Sequence, residues 1–277
     1  MKTAILVSGV YRPESVRVHI VLNELSEAFP DTDVYFHTWD EHKHLVPDYL
    51  NVESCPEPIL NYDAMLDPNP KDVGDRYNQS RQQLKYYEDG YSNHETNGKL
   101  DISNERLELL KKIGHSGTKQ ILGYADLYEK VQKLNKGYDC FIRTRWDISI
   151  QENLDFTPFL RQCEMGPIGF SVPTKNYKYY PIFRNPVRDV TKEFDNDQFI
   201  FDLFLIHHKD HFDPSLVYEL HKDKQLLPSE WGWYQVVVKP YNNKSRSYRG
   251  GAGVYRNYER FKEDTKNRRR WKSNEHR

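Results

Sequence analysis

Hydrophobic positions in this chain fall in short blocks separated by polar stretches. Residues 3–8, TAILVS, are an apolar run stopped at Ser8-Gly9, which predicts a buried strand. From residue 14 to 29 the apolar positions Val16, Ile20, Leu22, Leu25 and Phe29 keep a helical spacing, with Pro13 at the entry and Pro30-Asp31 at the exit. Residues 33–39, DVYFHTW, predict a second strand. The chain therefore opens as β–loop–α–β, the start of an α/β layer with parallel strands.

Residues 40–75 are rich in Pro, Asp and Asn and predict an irregular connection. Helical texture returns at 77–87, followed by a polar loop at 88–98. A short helix at 104–112 is expected to break at Gly114-His115-Ser116-Gly117. The strongest helix covers 118–135, where Ile121, Leu122, Ala125, Leu127, Tyr128, Val131 and Leu134 share a broad face and Lys136-Gly137 stops it. Strands are expected at 138–144, 169–173 and 198–206, a helix at 213–222, and a helix or strand at 230–238. No internal repeat interrupts this order.

Composition narrows the class. The chain has 277 residues, and its 14% aromatic content argues against disorder. No apolar run approaches the roughly 20 residues that span a bilayer, and the opening MKTAILVSGVYR is too short for a secretory signal. The three cysteines, Cys55, Cys140 and Cys163, have no CxxC spacing. That excludes a disulfide scaffold or zinc ribbon and fits a reducing cytoplasm. The net charge of −1 hides an asymmetry: from Lys239 onward thirteen Lys and Arg face four acids, +9, which leaves −10 for residues 1–238. Such a split marks a place for an anionic partner.

The most informative segment is Arg143-x-Arg145-x-Asp147, at the C-terminal end of an apolar strand. In open α/β sheets ligands bind beyond these strand ends. Guanidinium groups match phosphate oxygens, and a carboxylate can hold Mg²⁺ or Mn²⁺ that bridges them. The set suits a diphosphate leaving group. It equally suits a plain ion pair between Arg145 and Asp147 at a sheet edge. Ser8-Gly9-Val10-Tyr11-Arg12, after the first strand, lies near the same edge, where glycine admits a close ligand or simply makes a βα turn. Asp195-Asn196-Asp197-Gln198 precedes an apolar strand and offers a base for an acceptor hydroxyl, or a turn. Pro228-Ser229-Glu230-Trp231 sets an acid beside an aromatic ring, as sugar sites do, or caps a helix.

Two histidine groups, His37/His42/His44 and His207/His208/His211, invite a metal reading. His207 and His211 have helical i, i+4 spacing, but Lys209 and Asp210 between them read as a solvated helix start, so zinc is expected at neither. No cysteine nucleophile is expected. GxSxG, Walker A and GxGxxG motifs are absent, against a serine hydrolase, a P-loop NTPase and a dinucleotide-binding domain.

Four segments in order, ILVSGVYR (5–12), VYFHTWD (34–40), YDCFIRTRWDI (138–148) and NDQFIFD (196–202), resemble a glycosyltransferase of the GT-A type. More narrowly, the chain is similar to bacterial and phage enzymes related to WavE-like lipopolysaccharide and capsule synthesis proteins. The resemblance implies an α/β chain: a single GT-A-like, Rossmann-like domain with a mixed central sheet flanked by helices, over residues 1–240. Residues 241–277 would be a basic C-terminal extension without a counterpart in the family. It implies that Ser8, Gly9 and Arg12 line a nucleotide pocket, with Arg143 and Arg145 beside the diphosphate. Asp147 would take the last acid of a DxD motif and hold Mn²⁺ or Mg²⁺. Arg143 stands where the first acid belongs, which leaves either a single carboxylate on the metal or arginine charge in its place. Asp197 would lie on the acceptor side and Glu230 would resemble the base.

The expected reaction moves a sugar from a nucleotide diphosphate to a hydroxyl. The acceptor is a surface glycan, with the basic end on an anionic membrane, or a hydroxymethylated DNA base. In the second case Arg249, Arg256, Arg268, Arg269 and Arg270, interleaved with Tyr248, Tyr255, Tyr258 and Trp271, would track phosphates and stack on bases. A solvated basic tail is the plain alternative. A non-catalytic nucleotide-sugar-binding protein with the same fold also remains open.

Overall fold

The computed structural model describes residues 1–13, 18–60, 104–150, 155–171, 193–194, 200, 202–223, 226, 229–243, 245–249 and 252–254. In chain order the elements are β1 (Thr3–Ser8), α1 (Val18–Ala28), β2 (Asp33–Trp39), α2 (Asp40–Lys43), β3 (Val52–Cys55), α3 (Asn104–Lys133), β4 (Cys140–Thr144) and β5 (Ile148–Ile150). They continue as α4 (Thr157–Gln162), β6 (Ile168–Ser171), β7 (Glu193–Phe194), β8 (Phe204–His208), α5 (Pro214–Lys222), α6 (Ser229–Val237), β9 (Arg246–Arg249) and β10 (Ala252–Val254).

Among the described residues the main sheet has eight strands in the order β3-β2-β1-β4-β8-β6-β9-β7. The half from β3 to β4 is parallel throughout. Strand β8 runs antiparallel to both β4 and β6, and β9 is parallel to β6. The chain is thus α/β with a single mixed sheet flanked by helices. A separate two-stranded ribbon pairs β5 with β10. Pairing of β9 with β6 carries the sheet past residue 240.

Strand alternation sorts side chains onto two buried faces. Ile5, Val7, Cys140, Ile142, Phe204 and Ile206 point to one face, where Val18, Val21 and Leu25 of α1 cover them at helical spacing. Ala4, Leu6, Phe141 and Leu205 point to the other, under α3 and α6. Burial on both faces is why β1 reads as continuous apolar sequence rather than an alternation. Helix α5 starts as its sequence requires: Asp213 Oδ1 accepts the Ser215 N–H at 2.9 Å, and Pro214 follows the cap.

Four expectations need correction. Helix α3 is continuous from Asn104 to Lys133, through the glycines expected to break it. Within the supposed irregular connection, β3 pairs in parallel with β2, Trp39 beside Cys55. Strand β8 extends to His208, so His207 is a buried strand residue and not part of a solvated helix start. His211 sits in a 3₁₀ turn, Lys209–His211, so the two do not share a helix face. The helix expected at 77–87 and the loop at 88–98 lie outside the described residues. No helix among the described residues is long and apolar enough to cross a membrane.

Candidate functional site at the carboxyl ends of β1 and β4

The strand order reverses direction at β1: the chain winds outward through β2 and β3, then returns to the opposite side with β4. Such a switch point opens a crevice beyond the strand ends. Val7 pairs with Thr144, so the segments after β1 and β4 leave the sheet side by side. One carries Ser8, Gly9 and Arg12, the other Arg145 and Asp147.

Trp146 ties these segments together. Its indole N–H lies 3.1 Å from the Gly9 carbonyl and 2.9 Å from the His37 carbonyl, and donates to both. The ring stands edge-on to Tyr11 at 5.0 Å and stacks on Phe36 at 5.1 Å. The Tyr11 N–H in turn donates to Thr38 Oγ1 at 3.2 Å. Gly9 holds φ +126°, a conformation that side chains disfavour, and a Cβ there would meet nothing within 4 Å among the described residues.

Arg145 and Asp147 form a bidentate pair, Nε to Oδ1 at 2.9 Å and Nη2 to Oδ2 at 3.0 Å. Both are partly exposed, and Arg12 is exposed. Ser8 is fully buried, and its Oγ has no partner among the described residues.

Arg143, unlike this partly exposed pair, is fully buried. Alternation puts it on the face of Phe141, under α3, with no exposed surface. Its Nη2 donates to Gln120 Oε1 at 2.7 Å, Nη1 is 3.9 Å from Asp202 Oδ2, and the guanidinium sits 5.0 Å over the Trp233 ring. Nε and Nη1 have no hydrogen-bond partner among the described residues. Burial lowers its pKa to about 10, which leaves it charged at neutral pH.

A hard divalent cation does not fit the described donors at this strand end. Both oxygens of Asp147 accept from Arg145, and the position of a second acid is Arg143. Positive charge here comes from guanidinium. Glu230 lies in the first turn of α6, one turn before Trp233. Arg249 ends β9. Asp197, Arg256, Arg268, Arg269 and Arg270 lie outside the described residues.

A second polar group escaped sequence reasoning. His37 on β2 has its Nε2 3.2 Å from Asp126 Oδ2 on α3 and 3.4 Å from Cys55 Sγ on β3. Lys130 Nζ lies 2.8 Å from the same Asp126 oxygen. Burial opposes charge on Asp126, but His37 and Lys130 outweigh it and hold the carboxyl below its usual range. Burial pushes the Cys55 thiol up to about 12. Gly123 lets α3 approach this closely, since a Cβ there would stand 3.1 Å from Trp39 and 3.2 Å from the His37 ring. No local spacing signals the group, because its members come from three separate elements. In comparisons with known proteins, the chain matches no family model and no curated protein.

Proposed function

We propose that this chain is a GT-A-type glycosyltransferase that takes a sugar from a nucleoside-diphosphate sugar and gives it to a hydroxyl. The observation that carries the reading is the switch point at β1, where a partly exposed Arg145–Asp147 pair adjoins the Gly9 turn through Trp146. Gly9 and Arg12 would line the nucleotide pocket, with Ser8 buried behind them. Arg145 would meet the diphosphate, held in position by Asp147. Arg143 supplies positive charge from beneath the strand end rather than direct contact. In the reaction the bond from the anomeric carbon to the diphosphate oxygen breaks and one to the acceptor oxygen forms. The acceptor proton passes to a carboxylate, for which Glu230 and Asp197 are the candidates. Negative charge grows on the departing diphosphate, and guanidinium stabilises it.

The test is transfer and hydrolysis with a panel of UDP-, GDP- and CMP-sugars, with Asp147→Asn in parallel. Removal of the carboxylate releases the Arg145 fork, and a charged hydrogen bond of about 1.5–3 kcal/mol predicts a turnover loss of about 10- to 100-fold. Unchanged turnover in the variant would put the diphosphate elsewhere. One observation favours a second reading, a non-catalytic nucleotide-sugar-binding protein: the position of the first acid holds a buried arginine. Tight binding of a nucleotide sugar without turnover on any acceptor would select it.

A further inference from the structure

We propose that His37, Cys55 and Asp126 form a binding site for one zinc-class divalent ion that clips β2, β3 and α3 together. The inference is independent of the transferase reading. The three donor atoms all lie within 4.8 Å of one another. A tetrahedral ion with bonds of about 2.0–2.3 Å separates its ligand atoms by about 3.3–3.7 Å. The His37 Nε2 distances to Asp126 Oδ2 and Cys55 Sγ, 3.2 and 3.4 Å, lie just below and within that range.

The pattern of contacts separates an ion site from a catalytic triad. A thiol–imidazole–carboxylate relay needs the thiol on one ring nitrogen and the carboxylate on the other. Here both converge on Nε2, and Nδ1 has no partner among the described residues. Two groups converging on one ring nitrogen match ligands around a shared ion and not a proton relay. The mix of one nitrogen, one sulfur and one oxygen suits zinc over magnesium or calcium, which take oxygen alone.

The ion has access. His37 is buried, but Cys55 and Asp126 are partly exposed beside β3, the edge strand among the described residues. Water from that side would complete the fourth position. Lys130 supplies the balancing charge when no ion is present. Its Nζ also donates to the Ser54 carbonyl at 2.9 Å and lies 3.7 Å from Glu53 Oε2. The ammonium thus keeps two partners when Asp126 turns to an ion. Binding moves one proton, from the Cys55 thiol to solvent, and no electrons. The clip would also steady the crevice, because the His37 carbonyl accepts from Trp146.

The experiment titrates Co²⁺ into the full chain after chelator treatment and then displaces it with Zn²⁺. One equivalent of Co²⁺ is expected to bind with a thiolate-to-cobalt charge-transfer band that Zn²⁺ abolishes. Cys55→Ser, checked for native circular dichroism, should lose the band, and Asp126→Asn should weaken binding about tenfold or more. Lys130→Met removes the competing ammonium and should tighten binding severalfold, so it tests the site even where Cys55→Ser fails to fold. The proposal is overturned by a folded wild-type chain without the band, by a band that survives in Cys55→Ser, or by weaker binding in Lys130→Met.

Discussion

At the scale of single residues, His207 shows how burial sets a protonation state. Its Nδ1 is 2.9 Å from the His208 carbonyl, which can only accept, so Nδ1 carries the proton. Nε2, 2.5 Å from the Tyr124 hydroxyl, then accepts from it. Burial among Tyr128, Phe141 and Phe212 pushes the pKa down to about 3. The unfolded chain takes up this proton near pH 6.5, but the folded chain does not until about 3. Between those values the folded state binds fewer protons, so stability is full above about pH 6.5 and falls as pH drops, by up to about 1.4 kcal/mol per unit. Burial shifts His211 and His221 the same way. The lowered carboxyls of Asp33, Asp126 and Asp139 lose their contribution only below about pH 4. Urea midpoints between pH 7 and 4.5 therefore isolate the histidines. His207→Gln is expected to flatten that slope and to lower stability at pH 7 by about 1–3 kcal/mol. A slope unchanged by the substitution would mean that His207 is protonated in the fold.

At the scale of elements, α3 decides where the polar groups go. Its face over the sheet covers His37, Arg143 and His207, and it closes on His37 only because residue 123 is glycine. Gly123→Ala gains about 1 kcal/mol of helix propensity. The added Cβ meets the rings of Trp39 and His37 at 3.1–3.3 Å, and overpacking of this kind costs about 1–3 kcal/mol. The contact wins, and a thermal melt should show a midpoint about 2–4 °C lower. A raised midpoint would mean that the rings yield freely. The same helix shows what was legible. Residues 118–133 are recognisable from their apolar spacing, because a helix packing on a sheet must repeat its face. Gly114 and Gly117 read as punctuation, yet a long helix outweighs about 1 kcal/mol for each. Strand β3 has four residues at a half-exposed edge, too few to show an alternation. The Arg143-x-Arg145-x-Asp147 segment is legible at a strand end. The period of two also places Arg143 with Phe141 on a buried face, whereas the end of β4 at Thr144, which frees Arg145 and Asp147 from that face, has no periodic signal. The His37–Cys55–Asp126 group has no local trace, since only sheet pairing and the close approach of α3 assemble it.

At the scale of the whole molecule, charge is divided unevenly between the two ends of the sequence. Residues 255–277 carry nine Lys and Arg against four acids, and their removal changes the net charge from −1 to −6. Truncation after Val254 keeps β9 in register with β6 and β10 with β5. The shortened chain should therefore melt at the temperature of the full one, and an earlier melt would mean that the removed segment packs on the sheet layers. Its polyanion binding should differ sharply. The full chain is expected to shift duplex DNA at low salt, with an affinity that falls linearly in log salt by about 0.9 per phosphate contact. The truncated chain, with an acidic surface, should not bind. Donor hydrolysis then assigns the role of the basic end. If hydrolysis of the nucleotide sugar persists after truncation but transfer is lost, the segment serves the acceptor. If both persist, it is dispensable for chemistry, and the acceptor must be held by the crevice itself.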